Sequence, residues 1–150
     1  MPTHHFEGRL TWRAGAAGPA AGNHRVEFAG RPALEVSGAP QYRGDGTKVN
    51  PEELLVAALA SCQLLTYLAL APRAGVTVLG YEDAPVGTLA LVEKKMRVAE
   101  ILLRPRITIA AGGDVEAART LVERAHEGCF IGNSIACAVR IEPEIVRSEA

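Results

Sequence analysis

The chain has 150 residues, of which 48% are hydrophobic, 22% charged and 5% aromatic, with 15 Gly and 9 Pro. This balance excludes collagen, extended disorder and a disulfide scaffold, and the length suits one core rather than two independent folds, so a single domain over residues 1–150 is expected. Sixteen Lys and Arg against seventeen Asp and Glu give a net charge of -1 without a like-charged block, which argues against nucleic acid as a partner.

Residues 5–12 alternate weakly, with Phe6, Leu10 and Trp12 on one parity, and residues 15–22 read GAAGPAAG, a turn-forming linker rather than an element. Residues 25–28 alternate again and 31–37 follow the turn at Gly30, so an N-terminal hairpin with a third strand is predicted. Residues 38–49, GAPQYRGDGTKV, form a polar loop that carries Arg43 and Asp45 and is long enough to set side chains over a site. Its RGDGT, residues 43–47, lacks the lysine and the strand-to-helix placement of a phosphate-binding loop. The N-terminus MPTHHFEGRL shows no apolar run behind a positive start, so no secretory leader is expected.

At Asn50 the period changes. Asn50 as cap, Pro51 in the first turn and Glu53 three residues on form a capping-box pattern, with Glu52 and Glu53 suited to the dipole. The helix should run to about Leu70, where Pro72 and Gly75 stop it. Residues 54–71, LLVAALASCQLLTYLALA, are 18 without a charge, the length of a short membrane span. Ser61, Cys62, Gln63, Thr66 and Tyr67 in its middle argue for a soluble helix buried nearly all round instead. In a small protein a second copy supplies such cover, so a homodimer is expected and a membrane partner is not.

Strands are predicted over residues 77–81, 88–93, 97–103 and 106–109. Asp114 should cap a second helix whose Val115, Ala118, Leu121, Val122 and Ala125 share a face, with Gly128 at its end. Ile135, Cys137, Val139 and Ile141 share the parity of a last half-buried strand. The order of strands, helix, strands, helix and strand defines an α+β class.

Three cysteines, Cys62, Cys129 and Cys137, are too few and too widely spaced for a secreted framework, so a reducing cytoplasm is expected. Each alone reads first as a small buried hydrophobe. Cys137 fits that reading best, on an apolar parity with no ionisable residue at i±2. Cys62 and Cys129 have polar company: His126 precedes Cys129 by three residues, and Arg43, Glu52 and Glu53 lie near the start of the Cys62 helix. A zinc site lacks a fourth ligand and the paired C-x-x-C spacing. A Cys-His hydrolase is weakened because a histidine in the last turn of a helix commonly caps carbonyls and meets the dipole.

NPEELLVAALASC, residues 50–62, followed by AHEGC, residues 125–129, resembles the OsmC/Ohr family of thiol-dependent peroxidases. In that family a glutamate ten residues before the first cysteine and a second cysteine after a later helix recur. The resemblance implies an α+β intertwined homodimer with antiparallel sheets around two long central helices, and reduction of organic hydroperoxides. It assigns Cys62 as the peroxidatic and Cys129 as the resolving cysteine, with Glu52 and Arg43 as their supporting pair; Arg13 and Arg25 are the alternatives in the Ohr branch. Gln63 and Phe130 depart from the family pattern, which often carries an aromatic residue or histidine after the first cysteine and proline after the second. The implied cycle needs an external dithiol reductant and no metal, haem or flavin.

One physical constraint follows independently. Ten helical residues separate Glu52 from Cys62 by about 15 Å along one helix axis, so a glutamate acting at Cys62 must come from a second copy. The alternative reading keeps the dimer and uses an apolar cavity to bind a small hydrophobic ligand, with the cysteines as passive lining.

Overall fold

The computed structural model describes residues 1–149, and the chain divides into two compact units, Met1–Leu54 and Leu55–Ala150. It has a mixed α+β architecture of nine strands in three sheets and two α-helices among the described residues.

In the first unit β1 (Arg9–Thr11), β2 (His24–Glu27) and β3 (Leu34–Val36) form an antiparallel sheet in that order. Leu10 pairs with Val26 and Val26 with Leu34, which puts the alternating apolar residues in one cross-strand row. The 15–22 linker is more ordered than its composition suggests: Gly18–Gly22 winds a 3-10 turn with Pro19 in its opening positions, and the Trp12 indole donates to Ala21 O at 2.9 Å. In the loop before the first helix, Pro40–Tyr42 forms another 3-10 turn, closed by Arg43 at a left-handed φ of 65°. Asp45 anchors this loop. Its carboxylate accepts from the Thr47 hydroxyl and amide and from Asn23 Nδ2, which holds its pKa down at about 2.

Helix α1 spans Pro51–Leu70. The capping box is made in both directions: Asn50 Oδ1 accepts from Glu53 N at 2.9 Å, and Glu53 Oε1 accepts from Asn50 N at 3.1 Å. The first turn belongs to the first unit and the body to the second. Within one chain only the stripe Leu59, Gln63 and Tyr67 is fully buried. These positions, i, i+4 and i+8, dock one face of the helix, and the chain itself leaves Leu65 62% exposed. By length and a mean hydropathy of 1.7 the helix could cross a membrane. Its buried stripe nevertheless makes protein contacts: Gln63 Nε2 donates to Val122 O at 3.1 Å, and the Tyr67 hydroxyl donates to Ala118 O at 2.9 Å.

The second unit holds two further sheets. One is ordered β4 (Val78–Glu82), β7 (Arg106–Ile109), β9 (Glu144–Arg147); the other is β5 (Val86–Val92), β6 (Lys95–Leu103), β8 (Ala138–Ile141). Both are mixed, which corrects the all-antiparallel expectation: β4–β7 and β5–β6 are antiparallel, whereas β7–β9 and β6–β8 are parallel. Parallel neighbours need a long crossover, and helix α2 (Val115–Gly128) lies in both connections. Strand β9 was not anticipated. Asp114 caps α2 by accepting from the amides of Glu116 and Ala117.

Two apolar clusters organise this unit. Ala118, Leu121, Val122 and Ala125 of α2 pack with Tyr67, Ile107 and Ile109. Leu59, Ile101, Leu103 and Cys129 form the other, with Cys62, Ile131, Ile135 and Cys137 against it. At Gly87 a Cβ would stand 2.6 Å from Val56 Cγ2, so the absence of a side chain lets β5 approach α1.

Candidate active site

Both cysteines of the sequence motif converge in the second apolar cluster. Cys62 is half-buried on α1, beside the Leu59–Gln63 stripe; Cys129 follows the last residue of α2 and is 0% exposed. Gly128 lies beside the same face of α1: a Cβ there would stand 3.4 Å from Thr66 Cγ2, one turn beyond Cys62. After α2 the backbone extends at Cys129 and turns again into a 3-10 turn at Gly132–Ser134. The turn is pinned by Asn133 N to Cys129 O at 2.9 Å, by Asn133 Nδ2 to Glu127 O at 3.1 Å and by Ser134 Oγ to Phe130 O at 2.7 Å.

This turn aims its amides at sulfur. Gly132 N donates to Cys129 Sγ at 3.3 Å. At Cys62, burial is the largest single influence and raises the thiol pKa. The Ile131 amide, the Cys129 thiol, the Phe130 amide and the Thr66 hydroxyl act together against it, and the net position is below the ordinary 9.0. At Cys129 burial again leads, the neighbouring Cys62 adds to it, and the Gly132 amide offsets only part, so this thiol is held above 9.0. Both are free thiols packed in one cluster, and their surroundings move their acidities apart. Alkylation of the half-buried Cys62 by iodoacetamide in the native protein should therefore rise with pH and level off below 9.0, which mass spectrometry of its peptide across pH checks; a plateau above 9.0 would contradict it.

A cavity of about 680 Å³ opens beside Cys62 between α1 and α2, with Leu65, Thr66, Leu70, Arg124 and Phe130 among its walls. Leu65 and Phe130 line this cavity, whereas Leu55, Leu59 and Ile131 belong to the packed cluster. Phe130 is 81% exposed at the rim. Gln63, the other departure from the family pattern, is a buried tie to α2.

The supporting residues lie in the first unit. Arg43 is exposed at the end of its 3-10 turn, and Glu52 Oε2 is buried without a hydrogen-bond partner. Among the described residues no ion pair joins Arg43 to Glu52. Of the two alternative arginines, Arg25 is engaged by Glu27 and Glu35 at 3.7 and 3.6 Å, and Arg13 is exposed. His126 does not cap carbonyls as its position suggested; its Nδ1 is buried without a partner. Cys137 packs against the cluster as a half-buried residue. Among the described residues no group of three or more His, Cys, Asp and Glu side chains could hold a metal ion.

Two features were missed in the sequence. Arg124 and Glu127 line the cavity from α2, signalled only by their i, i+3 spacing on a face that also carries Gly128. The donor amides of residues 130–132 belong to the backbone and have no residue signature.

The fold and the paired thiols define a mixed α+β protein with a two-cysteine site beside an apolar cavity. Residues 44–144 match the family model for OsmC-like proteins, and the chain belongs to that OsmC/Ohr family. It is 25% identical over 151 residues to the uncharacterized protein YmaD of Bacillus subtilis (strain 168), covering 96% of this chain and 95% of that one. Among solved structures, an OsmC-like protein of unknown function from Vibrio cholerae superposes with a TM-score of 0.85 at 28% identity, over 94% of this chain and 99% of the other. An organic hydroperoxide resistance protein OsmC from Legionella pneumophila shares the fold with a TM-score of 0.71 at 20% identity, over 97% and 99%.

Proposed function

We propose that this chain is a cysteine-based peroxidase that reduces organic hydroperoxides, with Cys62 as the peroxidatic and Cys129 as the resolving residue. The observation that carries the reading is the packing of two free cysteines, one half-buried and one fully buried, in one cluster beside an apolar cavity, with the Cys62 thiol the more acidic of the two. Family membership and the names of structural neighbours support it.

The Cys62 thiolate attacks the distal oxygen of ROOH, the O–O bond breaks, and the alkoxide leaves as ROH with a proton taken from solvent. Cys62 is then a sulfenic acid. Cys129 attacks that sulfur, the S–O bond breaks, and the hydroxide leaves as water with the Cys129 proton. An external dithiol reduces the resulting disulfide and is itself oxidised to a disulfide. Amides from the 130–132 turn favour the attacking thiolate, and the walls Leu65, Leu70 and Phe130 suit an alkyl group. No metal, haem or flavin takes part in these steps.

The protomer is one OsmC-like domain over residues 1–150, and it works as an intertwined homodimer in the cytoplasm, with α1 and α2 as its central helices. The exposed apolar side chains of α1 are the surface that a second copy covers. Glu52 and Arg43 form the pair that supports Cys62, with Glu52 coming from the other subunit because of the span along α1. Co-expressing Glu52→Gln with Cys62→Ser chains tests the arrangement. A shared site restores measurable turnover of cumene hydroperoxide in the mixed dimer, in which one Cys62 meets one intact Glu52. Turnover no higher than in either parent would contradict it.

The second reading, a binder of small hydrophobic ligands with passive thiols, draws on the same cavity. Hydroperoxide turnover that survives Cys62→Ser would favour it.

A further inference from the structure

Gln63 is tied to Val122, and Tyr67, four residues on, to Ala118, four residues back, so α1 and α2 run antiparallel where they meet. His126, four residues on from Val122, continues the α1-facing stripe of α2 and comes level with Leu59, a member of the cluster that holds Cys129. Its Nδ1 is buried without a partner. The turn after α2 closes against it: a Cβ on Gly132 would stand 3.4 Å from Cys129 Sγ and 3.7 Å from His126 Cε1, so the thiol and the ring edge flank one α-carbon. The resolving step requires Cys129 to lose its proton. The Gly132 amide, which donates to Sγ at 3.3 Å, can hold a thiolate but accepts no proton. We propose that His126 is the general base of the resolving step, its Nδ1 taking the proton of Cys129 as that thiol attacks Cys62.

The other groups around Cys129 are poorer acceptors. Ile101 and Leu103 of β6 and Val139 of β8 are apolar, and Glu100 and Arg140 on those strands pair with each other. From α1 comes Cys62, the sulfur under attack. From β4 comes Tyr81, whose phenol is kept protonated by burial, well above the ordinary 10.0. On α2 itself Glu123, Arg124 and Glu127 are exposed. Burial also holds Cys129 above 9.0, so at neutral pH this thiol keeps its proton until a base removes it. A neutral imidazole protonated at Nε2 presents the required lone pair at Nδ1. The Cys129 sulfur then displaces hydroxide from the Cys62 sulfenic acid, the S–S bond forming as the S–O bond breaks, and the imidazolium returns the proton to the hydroxide as water. In a resting enzyme such a catalytic hydrogen bond is commonly longer than in the reacting complex.

This role rests on the proposed pairing of Cys62 with Cys129, and thiol exchange measures it without any peroxide. In protein carrying Cys137→Ser, one equivalent of DTNB places thionitrobenzoate on Cys62 and releases its other half. Attack by Cys129 on that mixed disulfide then releases the second. The first release shows that Cys62 is in place, and the second times the step assigned to His126. His126→Asn, whose amide takes no proton, should slow the second release by about 10²-fold at neutral pH. The loss should shrink as pH passes above 9.0 and Cys129 ionises unaided, a convergence that a merely structural role would not give. Wild-type histidine alone also decides: its second release should level off below 9.0, and one that climbs on above 9.0 would overturn the role. A His126→Asn profile that matches wild type at every pH, or no second release at all, would overturn it equally. A His126-dependent second release in protein whose thiols ignore cumene hydroperoxide would keep the role and sink the peroxidase reading.

Discussion

Replacing Cys62 with serine is expected to lower hydroperoxide turnover by about 10³-fold or more, because an alcohol lacks the thiolate that breaks the O–O bond. The amides of Phe130 and Ile131 stabilise a charge at this sulfur, and a serine hydroxyl at neutral pH has none to stabilise. Cys129→Ser should behave differently. On the proposed cycle the first oxidation of Cys62 proceeds but, without Cys129, halts at sulfenic acid, so a single turnover should survive while steady-state consumption with a dithiol falls. Stopped-flow consumption of cumene hydroperoxide distinguishes the variants, and circular dichroism confirms that each is folded. Equal loss of the first turnover in both would contradict the separate roles.

Leu59→Ala should cause a large loss of stability, about 2–5 kcal/mol. Leu59 is fully buried at the centre of the cluster that also holds Ile101, Leu103 and Cys129, and rigid strands on one side and a helix on the other leave little room for collapse. For a chain of this size each kcal/mol corresponds to roughly 2–4 °C in Tm, so thermal unfolding reads the effect directly. Leu65→Ala on the same helix is the contrast: its side chain is mostly exposed in the chain, so a monomer would lose little by its truncation. A loss at Leu65 approaching that at Leu59 would show that a second copy buries it.

Much of the fold was legible where short-range chemistry fixes it. Asn50 with Glu53, and Asp114 with the amides that follow it, announce helix starts whose hydrogen bonds are made as expected. The apolar face of α2 and the bounds of β7 were equally local. What escaped depends on distant partners. The four residues of β9, just after Pro143, are too few and do not alternate, and their order comes from pairing in parallel with β7. Ile135 and Cys137 share the strand parity but precede β8, because the chain is still leaving the 3-10 turn. The uniform apolar character of α1 gave no clue that a single stripe would be covered within the chain.

At the site, the sequence marked the two cysteines that the fold brings together, since their spacing follows the helices that carry them. It did not mark the turn that supplies amides to both sulfurs, because any residue except proline offers an amide. Arg124 also escaped, since an arginine on the polar face of an amphipathic helix looks like ordinary solvation until the facing helix is in place.

The proposed redox pair of Cys62 and Cys129 is tested by mass spectrometry of the native protein after one equivalent of cumene hydroperoxide. Peptide mapping should find a rapidly formed disulfide between Cys62 and Cys129, reversed by dithiol, with Cys137 still free. Unmodified thiols, or a bond that recruits Cys137 in place of either partner, would contradict it.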